Sequence, residues 1–563
     1  MSQGSSAQEG VSTPMPRLPY SAVTPMLSTI KSLPYRNRGL MIALVGLLGF
    51  AGSAIVGWLV GIPEPRVTDE FSYLLAADTF AHGRLTNPTH PMWIHFESLH
   101  IVQQPTYMSK FPPAQGLILA AGQKIAGHPI FGVWLSFGIM CAAVAWMLYA
   151  WVPARWALFG ALLTMINPKL GIAGYWAQSY WGGAVAATGG ALVLGGVRLL
   201  MRGSTALPRS RTWRPRVSYS LITALGLALL ANSRPYEGFL IAVPAGAYLL
   251  VHIVTQCGPA LWNSGRRVVA PIVIVLALTV SAMGYYNFRI TGNPFHLPYQ
   301  VHEETYAVAP LFLWQAPNPT PVYRHNDIRD YHTSYVAEGY QAQLSIPGFL
   351  QKLSSLFWSS ILQFLNVFLV PLLGIFTLLL RWTLRNDWAR FALVSYAILI
   401  CGSLLAVYWA IHYLAPIIAL NYFFIVTALR LWRWRYKQVG RMMLWLVPSL
   451  AAAILLASLH TGARQNQSSA WNVQRAKLIA QLQQQGGQHL ILVSYATEDF
   501  RHPVWEYNEA NIDAAKVVWA RTMDRTQNCK LLDYFRDRQL WSLEIHGEQS
   551  RPTLTLHPAK LCS

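Results

Sequence analysis

The stretch GLMIALVGLLGFAGSAIVGWLVG (residues 39–61) decides the fold, because it contains no charged residue over a length that can cross a bilayer. A helix needs about 20 apolar residues to span roughly 30 Å of hydrocarbon. Runs near that length recur along the chain, at residues 39–61, 129–152, 155–171, 182–200, 217–233, 236–255, 268–288, 359–380, 391–408, 412–430 and 442–459. The pattern predicts an α-helical polytopic membrane protein with about eleven transmembrane helices.

Composition supports the same class. Only 12% of residues are charged, against about 25% in a typical soluble protein, and the mean hydropathy is +0.31. The net charge of +20 could suggest nucleic acid. However, the Lys and Arg residues cluster in short loops between the apolar runs, as they do on the cytoplasmic side of membrane proteins. We therefore predict that the protein binds membrane lipid and no nucleic acid.

The charges also predict the topology. The stretch 198–216 carries six arginines and no acid, which is typical of a cytoplasmic loop. With this loop inside, residues 1–38 form a disordered cytoplasmic N-terminus and residues 39–460 form the transmembrane domain. A first outward loop (62–128) and a large outward loop (289–358) then lie on the opposite, extracytoplasmic side.

Residues 461–563 are expected to form a small α/β domain on the outward side. Runs such as HLILVSY (489–495) and KVVWAR (516–521) are typical of strands, and helical patterns lie around them. Cys529 and Cys562 are the two cysteines of this region, and an oxidising compartment would allow a disulfide between them. Two unpaired thiols are an equally open alternative, because the sequence supplies no distance.

An acidic pair, Asp69-Glu70, opens the segment DEFSYLLAADTFAHG in the first outward loop. Its small and apolar residues have helical spacing, and Gly83 can end the helix. Carboxylates near lipid are costly and suggest function, so Asp69 is a candidate general base, with Glu70 beside it. The alternative is that Asp69 only caps the helix.

Two cations are candidates for binding a phosphate group. Lys110 lies in YMSKFPPAQ, where Pro112 and Pro113 precede an expected interfacial helix. Arg234 lies in ANSRPYEGF, a very short outward turn, together with Glu237. Arg grips phosphate oxygens well. The alternatives are a lysine that extends to the membrane interface and an Arg–Glu structural pair.

Four residues are candidates for substrate binding. They are Glu237, in the turn with Arg234; Tyr299, in the segment that leaves the seventh span; and His412 and Tyr413, in the short outward turn YWAIHYLAP. An interfacial histidine packed among aromatic rings is at least as good an interpretation of His412. No spacing of possible metal ligands is diagnostic, including that of residues 302–304. We therefore expect no obligatory cofactor, although a divalent metal is possible.

These motifs resemble the GT-C superfamily of integral-membrane glycosyltransferases, particularly the aminoarabinose transferase and protein O-mannosyltransferase group. The shared features are the Asp-Glu pair, the Lys-x-Pro-Pro stretch, the Arg-Pro-x-Glu-Gly turn at 234–238 and the His-Tyr-x-x-Pro turn at 412–416. They occur in the expected order across residues 39–460. One departure is Phe111, which separates Lys110 from the two prolines where the aminoarabinose enzymes typically have Lys-Pro-Pro.

The resemblance implies a polyprenyl-phosphate sugar donor, an acceptor hydroxyl on a lipid, glycan or protein, and transfer with inversion on the outer face. Asp69 would act as general base, Arg234 and Lys110 would stabilise the leaving phosphate, and Glu70 and His412 would orient a substrate. It also implies a bacterial inner-membrane location with a periplasmic C-terminal domain. The alternative function is a flippase or transporter of lipid-linked glycans, although the charges lie at span ends rather than in broken helices.

Overall fold

The protein is represented by a computed structural model, which describes residues 37–201, 216–256, 261–466, 470–495, 504–546 and 553–557. The expected disordered segment therefore lies almost wholly outside the described residues. Up to residue 466 the regular elements are α1 (Arg38–Val60), α2 (Thr68–Ala81), β1 (Asn87–Pro88), β2 (Ile101–Val102), β3 (Thr106–Ser109), α3 (Pro113–Ala126), α4 (Ile130–Trp151), α5 (Ala154–Met165), α6 (Ala184–Met201), α7 (Val217–Ala231), α8 (Pro235–Gln256), α9 (Leu261–Thr291), α10 (Pro298–Tyr306), α11 (Asn326–Asp330), α12 (Ala337–Leu344), α13 (Ile346–Ser360), α14 (Leu369–Leu373), α15 (Phe376–Arg385), α16 (Asp387–Leu405), α17 (Ile418–Arg435) and α18 (Lys437–Asn466). Short 3₁₀ or π-helical segments cover Trp93–His95, Tyr331–Val336, Ile361–Leu365, Asn366–Phe368 and Ile411–Ile417.

The protein is a polytopic helical membrane protein. Within the described ranges, nine helical segments are long and apolar enough to cross a membrane: Arg38–Val60, Ile130–Trp151, Ala184–Met201, Pro235–Thr255, Gly265–Thr291, Ile346–Leu373, Asp387–Leu405, Ile411–Arg435 and Lys437–His460. The other two predicted spans are the shorter apolar helices α5 and α7, of 12 and 15 residues. At 1.5 Å per residue, both are shorter than a bilayer core of about 30 Å.

The eighth span begins earlier than the sequence predicted, at Ile346 rather than near residue 359. Ser345 caps α13 by accepting the N–H of Gly348, and Pro347 lies in the first turn. Polar residues in the first turns of α13, among them Gln351 and Lys352, lowered the local hydropathy and hid this start. Both residues line the cavity described below. Because the helix begins at Ile346, the large outward loop is shorter than predicted.

Both helices predicted within residues 62–128 are present. Helix α2 is followed by Gly83 with φ +73°, and α3 begins at Pro113 and ends before Gly127 with φ +78°. Between them, the three short antiparallel strands have the order β1-β3-β2. Strand β3 thereby runs directly into Lys110, and the backbone N–H of Lys110 donates to the carbonyl of His100 at 3.2 Å.

The C-terminal part contains α19 (Trp471–Gln484), β4 (His489–Tyr495), β5 (Val517–Arg521), α20 (Arg525–Tyr534), β6 (Gln539–Ile545) and β7 (Thr553–His557). The sheet order is β5-β4-β6-β7, with β4 parallel to both neighbours and β7 antiparallel to β6. This small α/β unit agrees with the sequence prediction, except that β7 was not foreseen. Cys529 is disulfide-bonded, and its predicted partner Cys562 lies outside the described residues.

The α/β unit packs on the first outward loop through an apolar cluster. Phe71 and Leu75 of α2 share this cluster with Leu490 and Tyr507. The rings of Phe71 and Tyr507 stack with centroids 4.2 Å apart, an arrangement that typically contributes about 1 kcal/mol beyond burial. The helix that carries Asp69 is therefore held between the membrane bundle and the C-terminal unit.

Candidate functional site

A cavity of about 490 Å³ lies where the first outward loop meets the ends of several spans. Its wall is rich in charged and aromatic side chains, which include Asp69, His100, Lys110, Arg234, Tyr299, Tyr331, Tyr335, Gln351, Lys352, Tyr408, Trp409, His412 and Tyr413. Six of the eight residues that the sequence singled out for catalysis or binding are among them. Glu70 and Glu237 are not part of the lining.

Asp69 lies in the first turn of α2 and faces the cavity, with 21% of its side chain exposed. Val67, and not Asp69, occupies the N-cap position. The Oδ1 atom of Asp69 lies 3.2 Å from Nε2 of His100. Burial raises the pKa of Asp69, and the positive charges of Lys110 and Arg234 act in the opposite direction. A carboxylate with a raised pKa that faces a cavity is well suited to accept a proton.

Glu70 points away from the cavity. Its Oε2 accepts the backbone N–H groups of Arg66 and Val67, at 2.7 and 3.1 Å, and its Oε1 accepts that of Tyr180 at 2.9 Å. The side chain therefore closes the start of α2 and ties it to the segment that precedes α6. This geometry favours a role for Glu70 in positioning Asp69 over direct contact with a substrate.

Lys110 is buried and reaches the cavity with its ammonium group. Its Nζ donates to Oε1 of Glu303 at 3.0 Å and lies 4.7 Å from the ring centre of Tyr299. Burial alone would raise the pKa of Glu303. The charge of Lys110, followed by the hydrogen bond with His302, outweighs burial and lowers this pKa. Glu303 was considered as a possible metal ligand from the sequence, whereas the structure pairs it with a lysine.

Arg234 lies in the tight turn between α7 and α8. Its guanidinium carbon is 4.5 Å from the ring centre of Tyr413, a cation–π distance. The carbonyl of Asn232 in this turn accepts the N–H of Ala114 at 2.9 Å, so the start of α3 holds the turn in place. Glu237 is buried behind the cavity wall and contributes negative charge near Arg234.

His412 and Tyr413 lie on the 3₁₀ segment that precedes α17. The His412 ring meets the Trp181 ring edge to face, with centroids 4.5 Å apart. Within the described part of the chain, Nδ1 of His412 and Nε1 of Trp409 are buried without a hydrogen-bond partner. Both residues line the cavity with other parts of their side chains.

Several lining residues were not predicted from the sequence. His100 and Tyr408 lie in irregular segments, and Tyr331 begins the short π-helical segment Tyr331–Val336, so no periodicity marks a buried face. The sequence predicted Lys352 to lie in the large outward loop. In the structure it lies on α13, and its Nζ donates to the carbonyls of Leu404 and Ala406 near the end of α16. No group of three or more His, Cys, Asp or Glu side chains among the described residues could hold a metal ion.

No protein-family model matches this sequence, and no curated protein matches it. Among solved structures, an oligosaccharyltransferase from the archaeon Archaeoglobus fulgidus, in complex with Zn and sulfate, is similar with a TM-score of 0.50 and 12% identity. The alignment covers 90% of this chain and 67% of that one. Two structures of ArnT from Cupriavidus metallidurans each align with a TM-score of 0.49. The apo structure has 15% identity, and the alignment covers 88% of this chain and 92% of that one. The structure bound to undecaprenyl phosphate has 14% identity, and the alignment covers 92% of this chain and 98% of that one. The likeness to the archaeal protein shows that the two chains share a fold.

Proposed function

We propose that this protein is a glycosyltransferase that moves a sugar from a polyprenyl-phosphate donor to an acceptor hydroxyl at the outer face of a bacterial inner membrane. One observation carries the proposal: a single cavity at the ends of the spans brings the carboxylate of Asp69 together with the cations Lys110 and Arg234. The GT-C fold is consistent with this activity, and the solved ArnT that binds undecaprenyl phosphate suggests the donor class.

In the proposed reaction, the acceptor hydroxyl gives its proton to Asp69 as its oxygen attacks the anomeric carbon of the donor sugar. The bond from that carbon to the phosphate oxygen breaks, and polyprenyl phosphate leaves with the electron pair. Because the attack occurs opposite the leaving group, the configuration at the anomeric carbon inverts. Proton transfer to a positioned base typically contributes about 100-fold or more to such a rate.

The two cations act on the leaving group. Negative charge grows on the phosphate oxygens as the glycosidic bond breaks, so fixed positive charges stabilise the transition state more than the ground state. Arg234 offers a planar fork of donors, held by Tyr413, while Lys110 offers a point charge. This scheme needs no metal, because the two cations supply the positive charge; a divalent ion, if bound, would supply further positive charge at the phosphate.

Part of the cavity wall is polar or aromatic without being charged, and it includes Gln351, Ser355, Tyr335 and Trp409. Aromatic faces and amide groups suit the apolar faces and hydroxyls of sugars and polar acceptors. We therefore assign this wall to the acceptor and the transferred sugar.

The experiment is a transfer assay with purified full-length protein in liposomes and a panel of polyprenyl-phosphate sugars, which measures the release of free polyprenyl phosphate. Wild type should release it, whereas Asp69→Asn should lose at least about 100-fold in rate. The control is Asp387→Asn, the same chemical change at an exposed carboxylate paired only with Arg390, which should keep wild-type activity. Equal release by wild type and Asp69→Asn would remove Asp69 as base. Transbilayer movement of an intact donor without release would support the flippase alternative.

A further inference from the structure

His100 stands beside Asp69 in a backbone conformation with positive φ. Its φ is +66°, which is uncommon for a residue other than glycine, although His adopts it more often than most. Three hydrogen bonds hold this conformation: the N–H donates to Nε2 of His302 at 3.2 Å, and the carbonyl accepts from Ser72 Oγ at 2.7 Å and from Lys110 N at 3.2 Å. Strain that is held by surrounding bonds is common where a side chain must be placed accurately.

The hydrogen bonds also determine the protonation of the two histidines. Because Nε2 of His302 accepts the N–H of His100, the proton of a neutral His302 must reside on Nδ1, 3.4 Å from Oε1 of Glu303. Burial, followed by the charge of Lys110, lowers the pKa of His302 to about 4 and holds that of His100 well below its ordinary value. Both imidazoles are therefore neutral at physiological pH.

A neutral His100 has a single ring N–H to donate. Its Nε2 lies 3.2 Å from Oδ1 of Asp69, while its Nδ1 has no hydrogen-bond partner among the described residues. A carboxylate oxygen can only accept, so an attractive contact with ionised Asp69 at this distance requires the proton of His100 on Nε2. The imidazole then lies against Oδ1, and we assign the proton of the acceptor to the other carboxylate oxygen, Oδ2.

We propose that His100 is a positioning residue for Asp69, whose Nε2–H donates to Oδ1 and so fixes the direction in which the carboxylate takes the proton of the acceptor. This inference rests on the proposed function. Through His302, the same arrangement joins the base to the Lys110–Glu303 pair, so the group that receives the proton and a group that binds the leaving phosphate share one rigid network.

The test is the variant His100→Gly in the liposome assay. Glycine accepts φ +66° without strain, so the variant removes the imidazole and leaves the backbone free to keep its course. We expect kcat to fall about tenfold to a hundredfold, the cost of losing one hydrogen bond to a charged group, with little change in the KM for the donor. The ionised form of Asp69 would lose a hydrogen-bond donor that stabilises it, so the pKa of Asp69 should rise. The pH at which kcat falls on the acid side should therefore increase by about one unit. Added imidazole should restore part of the rate.

The matched control is His82→Gly. His82 follows the same helix and lies 3.3 Å from the carboxylate of Asp78, but its side chain is 61% exposed and outside the cavity. We expect wild-type kcat and a wild-type pH profile. If His100→Gly fails to give a monodisperse folded protein, His100→Asn takes its place, since Asn also tolerates positive φ and its shorter amide does not reach Asp69.

Two results would overturn the inference: an unchanged kcat, or a reduced kcat with neither a shifted acid limb nor rescue by imidazole. The second result would show that His100 only supports the fold. Asp69→Asn, assayed in parallel, separates this inference from the proposed function. If Asp69→Asn keeps its activity, the assignment of the base fails. If Asp69→Asn is inactive while His100→Gly behaves as wild type, only the role of His100 fails.

Discussion

Lys110 and Glu303 are 193 positions apart in the sequence, yet Lys110 Nζ donates to Glu303 Oε1 at 3.0 Å inside the protein. The second carboxylate oxygen, Oε2, accepts from the hydroxyl of Tyr408 at 3.1 Å. Both charged residues are buried, with 5% and 6% of their surfaces exposed. The lysine of the candidate site is therefore compensated before any phosphate arrives, and Glu303 sets its position.

The ion pair predicts an asymmetric effect on stability. Glu303→Gln leaves the ammonium of Lys110 buried without a carboxylate, and breaking a buried pair in this way typically costs about 3–5 kcal/mol. The double variant Lys110→Met with Glu303→Gln should be less destabilised than Glu303→Gln alone, because no unpaired charge remains. Thermal unfolding midpoints in detergent measure both. Glu304→Gln, at the exposed neighbouring position, is the control and should stay within about 0.5 kcal/mol of wild type. A double variant as unstable as the single one would contradict the argument.

A second prediction concerns the attachment of the C-terminal unit. Arg521 of β5 donates from Nη1 to both oxygens of Asp327, each at 2.8 Å, and from Nε to the carbonyl of Glu97 at 2.7 Å. Lys lacks the fork that makes these contacts. Arg521→Lys should therefore speed hydrogen exchange in the segment Tyr331–Val336, which follows the short helix that carries Asp327 and contributes to the cavity lining, and should lower the transfer rate. Arg525→Lys, an exposed change in the first turn of α20, should leave exchange as in wild type.

Close packing of α6 against the segment Ile411–Ile417 gives a third prediction. A Cβ on Gly190 would meet the carbonyl oxygen of Pro416 at 1.9 Å. Gly190→Ala must therefore push away the segment that carries His412, and we expect both a lower unfolding midpoint and a lower transfer rate. Gly246→Ala on α8 is the control, since a Cβ there meets nothing within 4 Å. It should be neutral, or stabilising by up to about 1 kcal/mol from helix propensity. Similar midpoints for the two variants would refute the packing argument.

The pH dependence of the rate is a fourth prediction. The base must be ionised to take a proton, and burial raises the pKa of Asp69, so activity should decline on acidification at a pH above that of an ordinary aspartate, about 3.9. The charge of Arg234 counteracts this rise. Arg234→Gln should therefore move the acid limb to higher pH still, besides lowering the rate. The measurement is kcat/KM against pH for both proteins, and a limb that moves to lower pH in Arg234→Gln would contradict the electrostatic account.

Much of the fold follows from local patterns. Helix α2 was predicted from helical spacing and Gly83, and α3 from Pro112 and Pro113, because helix starts and stops depend on residues within one turn. The start of the eighth span was predicted wrongly, because polar residues lower the mean hydropathy whether they face water or a cavity of the protein. Gln351 and Lys352 line the cavity at the ends of the spans.

By itself, the sequence determined the membrane class, the approximate positions of nine of the eleven predicted spans, the short helices of the first outward loop and the strands β4 to β6. Each of these depends on apolar runs, on periodicity or on turn residues that are neighbours in the chain. Only the tertiary structure decided the partners within the cavity: His100 for Asp69, and Glu303 for Lys110. Such contacts join segments up to 193 positions apart, and no local pattern specifies which two polar side chains the packed helices will bring together.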